Sequence, residues 1–296
     1  MTAEITTAAF FGRSRDPEPA REFLAAAGEL AAGGARVYFE KRLAAHCEPR
    51  ALEDAGVVVL PRDEIRRADL GFVLGGDGTF LRTAHHCAPL GIPLAGINLG
   101  YLGFLTDVPR ENMRRDIAAI CRGERRLEKR FMLAAQVERD GAPPSTPEES
   151  CAINDIVVSR GEAGILLGVR VSVNRSFLYD LRADGLILAT PSGSTAYALA
   201  AGGPIITPDL RAILLVPLCA HALTHRPLAV NSSRAELTLE ITKSRSARLH
   251  LDGRADVSLK TGDVVRVRRH PKALQICHPL SYDYYKTLRQ KLSWGS

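Results

Sequence analysis

This chain of 296 residues has no closely paired cysteines. Its six, Cys47, Cys87, Cys121, Cys151, Cys219 and Cys277, are scattered without a C-x-x-C pair. Neither a zinc site nor a disulfide framework is expected, and a reduced, cytoplasmic setting fits. No apolar run approaches the roughly 18–20 residues of a membrane helix. The opening Met1-Thr2-Ala3-Glu4-Ile5 lacks the basic and long apolar segments of a secretion signal. Two phosphate-binding signatures are also missing: there is no G-x-x-x-x-G-K-[ST], and no G-x-G-x-x-G after a strand. The net charge is +6, yet no basic tail exists. The densest runs are Arg122-Gly123-Glu124-Arg125-Arg126 and Arg266-Val267-Arg268-Arg269-His270, with acids spread among the rest. Nucleic-acid binders cluster their basic residues, so no nucleic-acid partner is expected. Phosphate-bearing small molecules match such a charge.

What is present changes character along the chain. Ala8–Phe11, Val37–Phe39, Val57–Leu60, Leu70–Leu74 and Ile92–Ile97 read as strands. Between them Pro19–Leu30 reads as a helix with a stop at Gly33-Gly34, and Phe80–Cys87 as a helix ending at Pro89. Apolar strands alternating with helices predict a parallel sheet covered on both faces, a Rossmann-like α/β domain over residues 1–126. Pro109–Cys121 closes it as a helix, with Met113, Ile117 and Ile120 on one face. Beyond it, Val169/Val171/Val173, Leu237/Leu239/Ile241 and Val265/Val267 alternate with polar neighbours. Period-two alternation predicts strands with one buried face, hence a β-rich, sandwich-like domain over 127–270. Gly141–Pro147 reads as an exposed Pro-rich loop. The tail, 271–296, turns helical over Tyr282–Leu292 and is expected to return to the first domain.

Four segments carry chemistry. Gly75-Gly76-Asp77-Gly78-Thr79 follows a buried strand and opens a helix. Its glycines permit torsions closed to other residues and let phosphate approach main-chain amides. Its aspartate sits where phosphate and a cation would sit; a tight βα turn with a capping Asp is the plain alternative. Asn98–Leu105 follows the next strand at the same carboxyl edge, where α/β folds bind ligands. Asn154-Asp155 places two polar residues inside the strand-like Ala152–Val158, which is costly unless they are paired. The longest is Asp184-Gly185 followed by Thr190-Pro191-Ser192-Gly193-Ser194-Thr195-Ala196-Tyr197, running through Ala198, Leu199 and Ala200 to Gly202-Gly203-Pro204. Hydroxyls and free amides at a helix start suit ribose or phosphate, and Tyr197 is placed to stack on a base or to pack.

In this order the four resemble the motifs of the NAD kinase family, over roughly residues 68 to 295. G-G-D-G-T alone is shared with lipid kinases; all four together are specific. Weaker echoes extend through Leu215–Pro227, Asp252-Gly253 and the helical tail. Departures are Ser192 for the usual Thr, Ala220 for Pro, and Arg254 for Gln. The last puts a cation near the expected dinucleotide contact.

The resemblance implies transfer of the ATP γ-phosphoryl to the 2′-hydroxyl of the adenosine ribose of NAD, giving NADP and ADP. Asp77 would accept the hydroxyl proton as the new bond forms, because a free carboxylate is too weak a base to remove it earlier. Gly75, Gly76, Gly78 and Thr79 would hold ATP phosphates, with Mg²⁺ or another divalent cation bridging the nucleotide oxygens and no protein metal ligands. NAD would meet Asp77, Gly78, Arg82, Asn154, Asp155, Arg182, Asp184, Thr195–Ala200 and Arg254. Arg182 stands where a basic residue accompanies preference for NAD over NADH. The resemblance also implies a homodimer or homotetramer, and a single site shared by the motifs of both domains. The histidines His85, His86, His221 and His225 are secondary candidates. The competing readings are a diacylglycerol-type lipid kinase sharing G-G-D-G-T, and a non-catalytic NAD(P)-binding regulator. The Asp184–Pro204 block argues against the first and the presence of Asp77 against the second.

Overall fold

The computed structural model describes residues 5–14, 16–100, 103–139, 151–161 and 165–294, without the side chains at 255 and 256. The chain divides into two compact units. One holds the residues up to Lys129 and again from Ala273, the other Arg130–Lys272.

The first unit runs β1 (Thr7–Gly12), α1 (Pro17–Ala32), β2 (Arg36–Glu40), α2 (Lys41–Ala44), α3 (Pro49–Asp54), β3 (Val58–Leu60), β4 (Leu70–Leu74), α4 (Asp77–Leu90), β5 (Leu94–Asn98), β6 (Val108–Pro109) and α5 (Met113–Cys121). Its sheet has the order β5-β4-β1-β2-β3, every neighbour parallel. The order reverses between β1 and β4, and ligands of such sheets bind outside the carboxyl ends at that reversal. β4 and β5 are buried at every position, as strands covered on both faces must be. Phe10 packs on Phe23 at 4.7 Å, Phe72 at 5.2 Å and Phe39 at 6.2 Å, ring centre to ring centre. All four rings are fully buried, each a contribution of about 2 kcal/mol.

The expected helix end at Pro89 is corrected: α4 begins at Asp77 and runs to Leu90, with Pro89 inside its last turn. A proline that close to the end forfeits little of the ladder. Gly91, at φ 75°, then closes the helix in the left-handed conformation.

β7 (Arg125–Glu138) carries the chain into the second unit. There follow β8 (Cys151–Ala152), β9 (Asp155–Arg160), β10 (Leu167–Val173), β11 (Ser176–Ala183), β12 (Gly185–Ala189), α6 (Tyr197–Ala200), β13 (Ala212–Leu218), β14 (Leu228–Asn231), β15 (Glu236–Lys243), β16 (Ala247–Leu251) and β17 (Ala255–Leu259). β18 (Val264–Pro279) carries the chain back, and α7 (Tyr284–Leu292) ends it. One antiparallel sheet has the order β14-β13-β12-β9-β16-β17; in the other, β11, β10, β15 and β18 are successive neighbours. The alternating valines and leucines of β10, β15 and β18 all point into one core with Leu186, Leu188 and Leu249 of the facing sheet. This is a β-sandwich. Ile187, Ala189, Leu214 and Val216 fill a second cluster behind the six-stranded sheet, under Ala198 of α6. With both faces covered, β12 reads as a continuous apolar run rather than an alternation. The tail helix α7 belongs to the first unit, where Lys291 lies 5.8 Å from the Phe104 ring centre. The Pro-rich segment Gly141–Pro147 lies outside the described residues.

Candidate active site

In the first unit β4 stops at Leu74 and α4 starts at Asp77, so Gly75-Gly76 is the whole turn. Gly75 has an internal reason: its φ is 142°, and a Cβ there would stand 2.9 Å from the Thr79 side chain. Gly76 and Gly78 have none, since a Cβ on either meets nothing within 4 Å. Both are exposed, and they bare the main chain at a helix start, where amide dipoles favour anions.

Asp77 is the first residue of α4, and its carboxylate reaches the loop after β5. Oδ2 accepts the Phe104 N–H at 2.9 Å; Oδ1 accepts the Leu105 N–H at 3.1 Å and the Thr106 hydroxyl at 3.3 Å. Asn98, at the end of β5, holds the same loop from its other side. Its Oδ1 takes the Gly100 N–H at 2.7 Å, and its Nδ2 donates to Thr106 O at 3.4 Å and Oγ1 at 3.3 Å. Gly103 admits no side chain, because a Cβ would fall on Asp77 Oδ1 and Thr106 Oγ1. The first two motifs are therefore one arrangement. Tyr101 and Leu102 of the second lie outside the described residues. Arg82 is exposed on α4 and donates to Thr79 Oγ1 at 3.4 Å.

Thr106, which ties those two motifs together, lay outside the candidates the sequence offered, and so did its neighbour Asp107. Asp107 Oδ2 lies 2.9 Å from Nδ1 of the buried His278, whose Nε2 lies 3.2 Å from Glu128 Oε2. The imidazole also stacks on Tyr282 at 3.8 Å and 6°. Burial disfavours its charged form, but the two carboxylates outweigh that and hold its pKa above the usual histidine value. Partners 171 residues apart leave no local signal. Of the histidines singled out from sequence, His86 contacts Ile65 O at 2.8 Å through Nε2, and His225 packs edge-on against Tyr179.

In the second unit the expected strand Ala152–Val158 is corrected: it breaks at Ile153-Asn154, leaving β8 and β9 on either side. The cause is Asp252, in the left-handed conformation (φ 49°) in the turn between β16 and β17. Its carboxylate accepts the backbone N–H groups of Ile153 at 2.7 Å, Asn154 at 2.8 Å and Asp155 at 2.9 Å. Three amides on one carboxylate satisfy what the broken ladder leaves open. In the sequence the Asp252-Gly253 pair stands out only as a weak echo of the family pattern, with nothing to show that it holds Ile153–Asp155.

The Thr190 turn sits on the same break. Thr190 N–H donates to Asn154 O at 2.8 Å, and its hydroxyl to Ile153 O at 2.7 Å. Any side chain on Gly193 would collide with Asn154 O. Ser194 and Thr195 direct their hydroxyls at Pro191 O (2.6 Å) and Ser192 O (3.1 Å), while Ser192 accepts from the buried Arg130 at 3.1 Å. Ala198 points into the core; Tyr197 and Ala200 are exposed and Ala196 and Leu199 partly so. Asn154 is half-buried. Asp155 is buried, and burial, then the Asp252 charge, raises its carboxyl to about 7.

So the unit gathers Asn154, Asp155, Thr190–Ala196 and Asp252. It does not bring Asp184 to them. β12 separates Asp184 from Thr190 by roughly 20 Å of extended chain, and Arg160 grips the Asp184 carboxylate at 3.0 Å. Arg182 is exposed at the end of β11, and among the described residues it has no acidic partner. Arg254 is exposed where the β16–β17 turn closes, its amide donating to Leu251 O at 2.9 Å.

Comparison with known proteins agrees with this layout. Residues 33–125 match the family model of the ATP-NAD kinase N-terminal domain, and residues 153–278 that of the C-terminal domain. The NAD kinase of Laribacter hongkongensis is 41% identical over 96% of this chain and 94% of its own length. That of Neisseria meningitidis is 46% identical over 77% of this chain and 75% of its own. Among solved structures, yeast NADH kinase complexed with NADH superposes with a TM-score of 0.89 at 25% identity, over all of this chain and 89% of that one. An NAD kinase from Archaeoglobus fulgidus in complex with ATP shares the fold, with a TM-score of 0.74 at 22% identity over 98% of this chain and all of that one. On these grounds the chain belongs to the NAD kinase family and is a phosphotransferase.

Proposed function

We propose that this enzyme moves the ATP γ-phosphoryl onto the 2′-hydroxyl of the adenosine ribose of NAD, with Asp77 as proton acceptor. The observation that carries the reading is the pair Gly76 and Gly78, glycines that no internal contact requires, on either side of a carboxylate held by its neighbours. A carboxylate offers about four lone-pair sites. Phe104, Leu105 and Thr106 occupy three, leaving one on Oδ2 for a ribose hydroxyl. As the hydroxyl oxygen bonds the γ-phosphorus, its proton passes to Asp77 and the bridging oxygen leaves with ADP, taking the electron pair. The fixed amides orient the carboxylate in advance, which is the main help phosphoryl transfer needs. Asn154 and Asp155 bind the dinucleotide in this reading, with the exposed face of Thr195–Ala200 beside them.

Among the described residues no three His, Cys, Asp or Glu side chains converge on a cation position. In our reading a divalent ion, Mg²⁺, would come in with the nucleotide and neutralise phosphate charge. Arg182, exposed and without an acidic partner among the described residues, supports NAD over NADH; their turnover ratio in one assay tests it. The edge strand β11 leaves Phe177 61% exposed and supports self-association as a dimer or tetramer, checked by sedimentation. All six cysteines are free, in keeping with work in the cytoplasm. Among the described residues no helix is long and apolar enough to cross a membrane.

The test is an assay of purified protein with ATP, Mg²⁺ and NAD, reading NADP with an NADP-specific dehydrogenase. Asp77→Asn should lower turnover by about 10²–10⁴-fold while NAD still binds. Near-normal turnover would remove Asp77 from the chemistry. ADP release with diacylglycerol but not with NAD would overturn the substrate.

A further inference from the structure

Asp77 takes its orientation from a short arm of chain, Phe104–Thr106, which gives it two amides and a hydroxyl. The arm lies directly against β5: a Cβ on Gly96 would stand 2.6 Å from Leu105 O and 2.7 Å from Thr106 Cα. Asn98 donates to Thr106 from the end of β5. Just beyond the arm, β6 pairs with β5, Val108 opposite Ile97 and Pro109 opposite Asn98. Asp107 is the one residue between Thr106 and β6. Thr106 reaches Asp77, and the next residue, Asp107, reaches His278.

Only 4% of the Asp107 side chain meets solvent, and none of that of His278. Asp107 Oδ2 lies 2.9 Å from His278 Nδ1, while Oδ1 is buried and has no hydrogen-bond partner among the described residues. The carboxylate therefore leans on the imidazole. A buried charge deprived of its partner must move or take up a proton.

The imidazole in turn is fixed from its other side. β18 enters the first unit beside β5, with Ile276 opposite Leu94, and His278 stands two residues further on. Glu128 Oε2 of β7 lies 3.2 Å from its Nε2. Tyr282 stacks on the ring, and the Tyr282 N–H donates to Pro279 O at 3.0 Å, so a tight turn after β18 folds it back over the imidazole. The titratable groups that face His278 are thus Asp107 from the loop after β5, Glu128 from β7 and Tyr282 from the tail. Arg125, also on β7, donates to Ile120 O at 2.8 Å. A neutral imidazole has one N–H and one lone pair, whereas the cation donates from both nitrogens. Carboxylates at both nitrogens call for the cation, and a carboxylate left facing a lone pair would be pushed away.

We propose that His278 is a positioning residue for the phosphoryl transfer: clamped between Asp107 and Glu128, it fixes the end of the arm that orients Asp77. This role rests on the reading of Asp77 as proton acceptor. His278 acts through Asp107 and Thr106 and takes no part in the proton transfer. Replacing a buried ion cluster by apolar groups is often neutral for stability, so the cluster supplies direction as much as strength.

The experiment uses the full chain with His278→Gln, Asp107→Ala and Asp107→Asn, each alone and combined with Asp77→Asn, assayed at a temperature where circular dichroism shows it folded. Glutamine cannot donate to both carboxylates; asparagine at 107 keeps an acceptor for the imidazole, and alanine removes it. His278→Gln and Asp107→Ala should lower kcat about tenfold to a hundredfold and leave the KM for NAD and for ATP unchanged, as expected for a displaced catalytic group. Asp107→Asn should restore most of that loss. In the Asp77→Asn background the same substitutions should lower kcat no further, because the group they displace is gone. Hydrogen exchange gives a readout free of catalysis: in His278→Gln the Phe104 and Leu105 amides should exchange roughly tenfold faster, with those of β4 unchanged. Unchanged kcat in the folded variants, unchanged exchange, or an equal loss of kcat in both Asp77 backgrounds overturns the proposal. Near-normal turnover in Asp77→Asn itself, with the two amides still loosened by His278→Gln, defeats the acceptor reading and leaves the hold of His278 on the arm standing. Should His278→Gln fail to fold, the two Asp107 variants carry the same comparison.

Discussion

Two turns, one in each unit, contain glycine and differ in what that glycine does. At Gly75–Thr79, two of the three glycines face open space, and only Gly75 is demanded by torsion and by the Thr79 side chain. At Thr190–Ala196, Gly193 is pressed against the Asn154 carbonyl, and the hydroxyls around it are consumed by bonds inside the turn. The first turn keeps its main chain bare for something from outside. The second uses glycine to seat a turn on the broken strand that carries Asn154 and Asp155. Glycine content alone does not mark a ligand site; the space around each Cβ position does.

Substituting alanine in each turn tests that contrast most sharply. Gly193→Ala forces a methyl group into a backbone oxygen, so the second unit should lose on the order of 4 kcal/mol or fail to fold. Gly78→Ala adds a methyl in open space inside a helix, where alanine is favoured by about 1 kcal/mol. Its melting temperature should hold or rise while NADP formation falls. Equal melting temperatures for the two variants would erase the distinction between the turns, and full activity in Gly78→Ala would mean that its bare main chain serves no ligand.

A second contrast lies between two carboxylates that each hold a loop through backbone amides. Asp77 takes two amides and a hydroxyl beside the open turn; Asp252 takes three amides in a hairpin. Only the first has a place in the proposed chemistry. Asp252→Ala strands three amides, and should cost about 3 kcal/mol and weaken NAD binding. At saturating NAD its turnover should remain within a few-fold of wild type, unlike that of Asp77→Asn. A large fall in saturated turnover with unchanged stability would give Asp252 a part in the reaction.

The parallel strands of the first unit were legible because each is a short apolar run between glycine and proline signals. The alternation in β10, β15 and β18 was legible because one face of each meets the sandwich core. Asp77 was legible from its flanking glycines. The break at Ile153-Asn154 was not, since its cause is a carboxylate about a hundred residues away. Asp184 illustrates how little an Asp-Gly pair alone reveals of its surroundings. Its Asp-Gly pair is conspicuous, yet Gly185 is there because a Cβ would stand 2.6 Å from Val158 O, and the aspartate itself pairs with Arg160. Sequence shows which residue types a motif contains, but the end of a strand at which each stands is settled by pairing register.

The units should also differ in how they respond to pH, through one buried group in each. Asp155 has a folded-state pKa of about 7, raised by burial and then by Asp252. A carboxyl raised in this way stabilises the fold below its unfolded pKa of about 4. That contribution fades as pH rises toward the folded value. His278 is raised by the Asp107 and Glu128 hydrogen bonds in spite of its burial, so its contribution is complete below about pH 6.5 and is lost at higher pH, through its folded pKa. The second unit should therefore weaken between about pH 4 and 7, and the first above about pH 6.5. Asp155→Asn should flatten the lower slope, leaving the variant about 1–2 kcal/mol more stable than wild type at pH 8 and nearly equal to it at pH 4. His278→Gln should be less stable at pH 6 and converge on wild type in alkali. Amide exchange followed separately in β9 and β5 assigns each slope to its unit. Parallel pH profiles in both strands would mean that neither group controls its own unit.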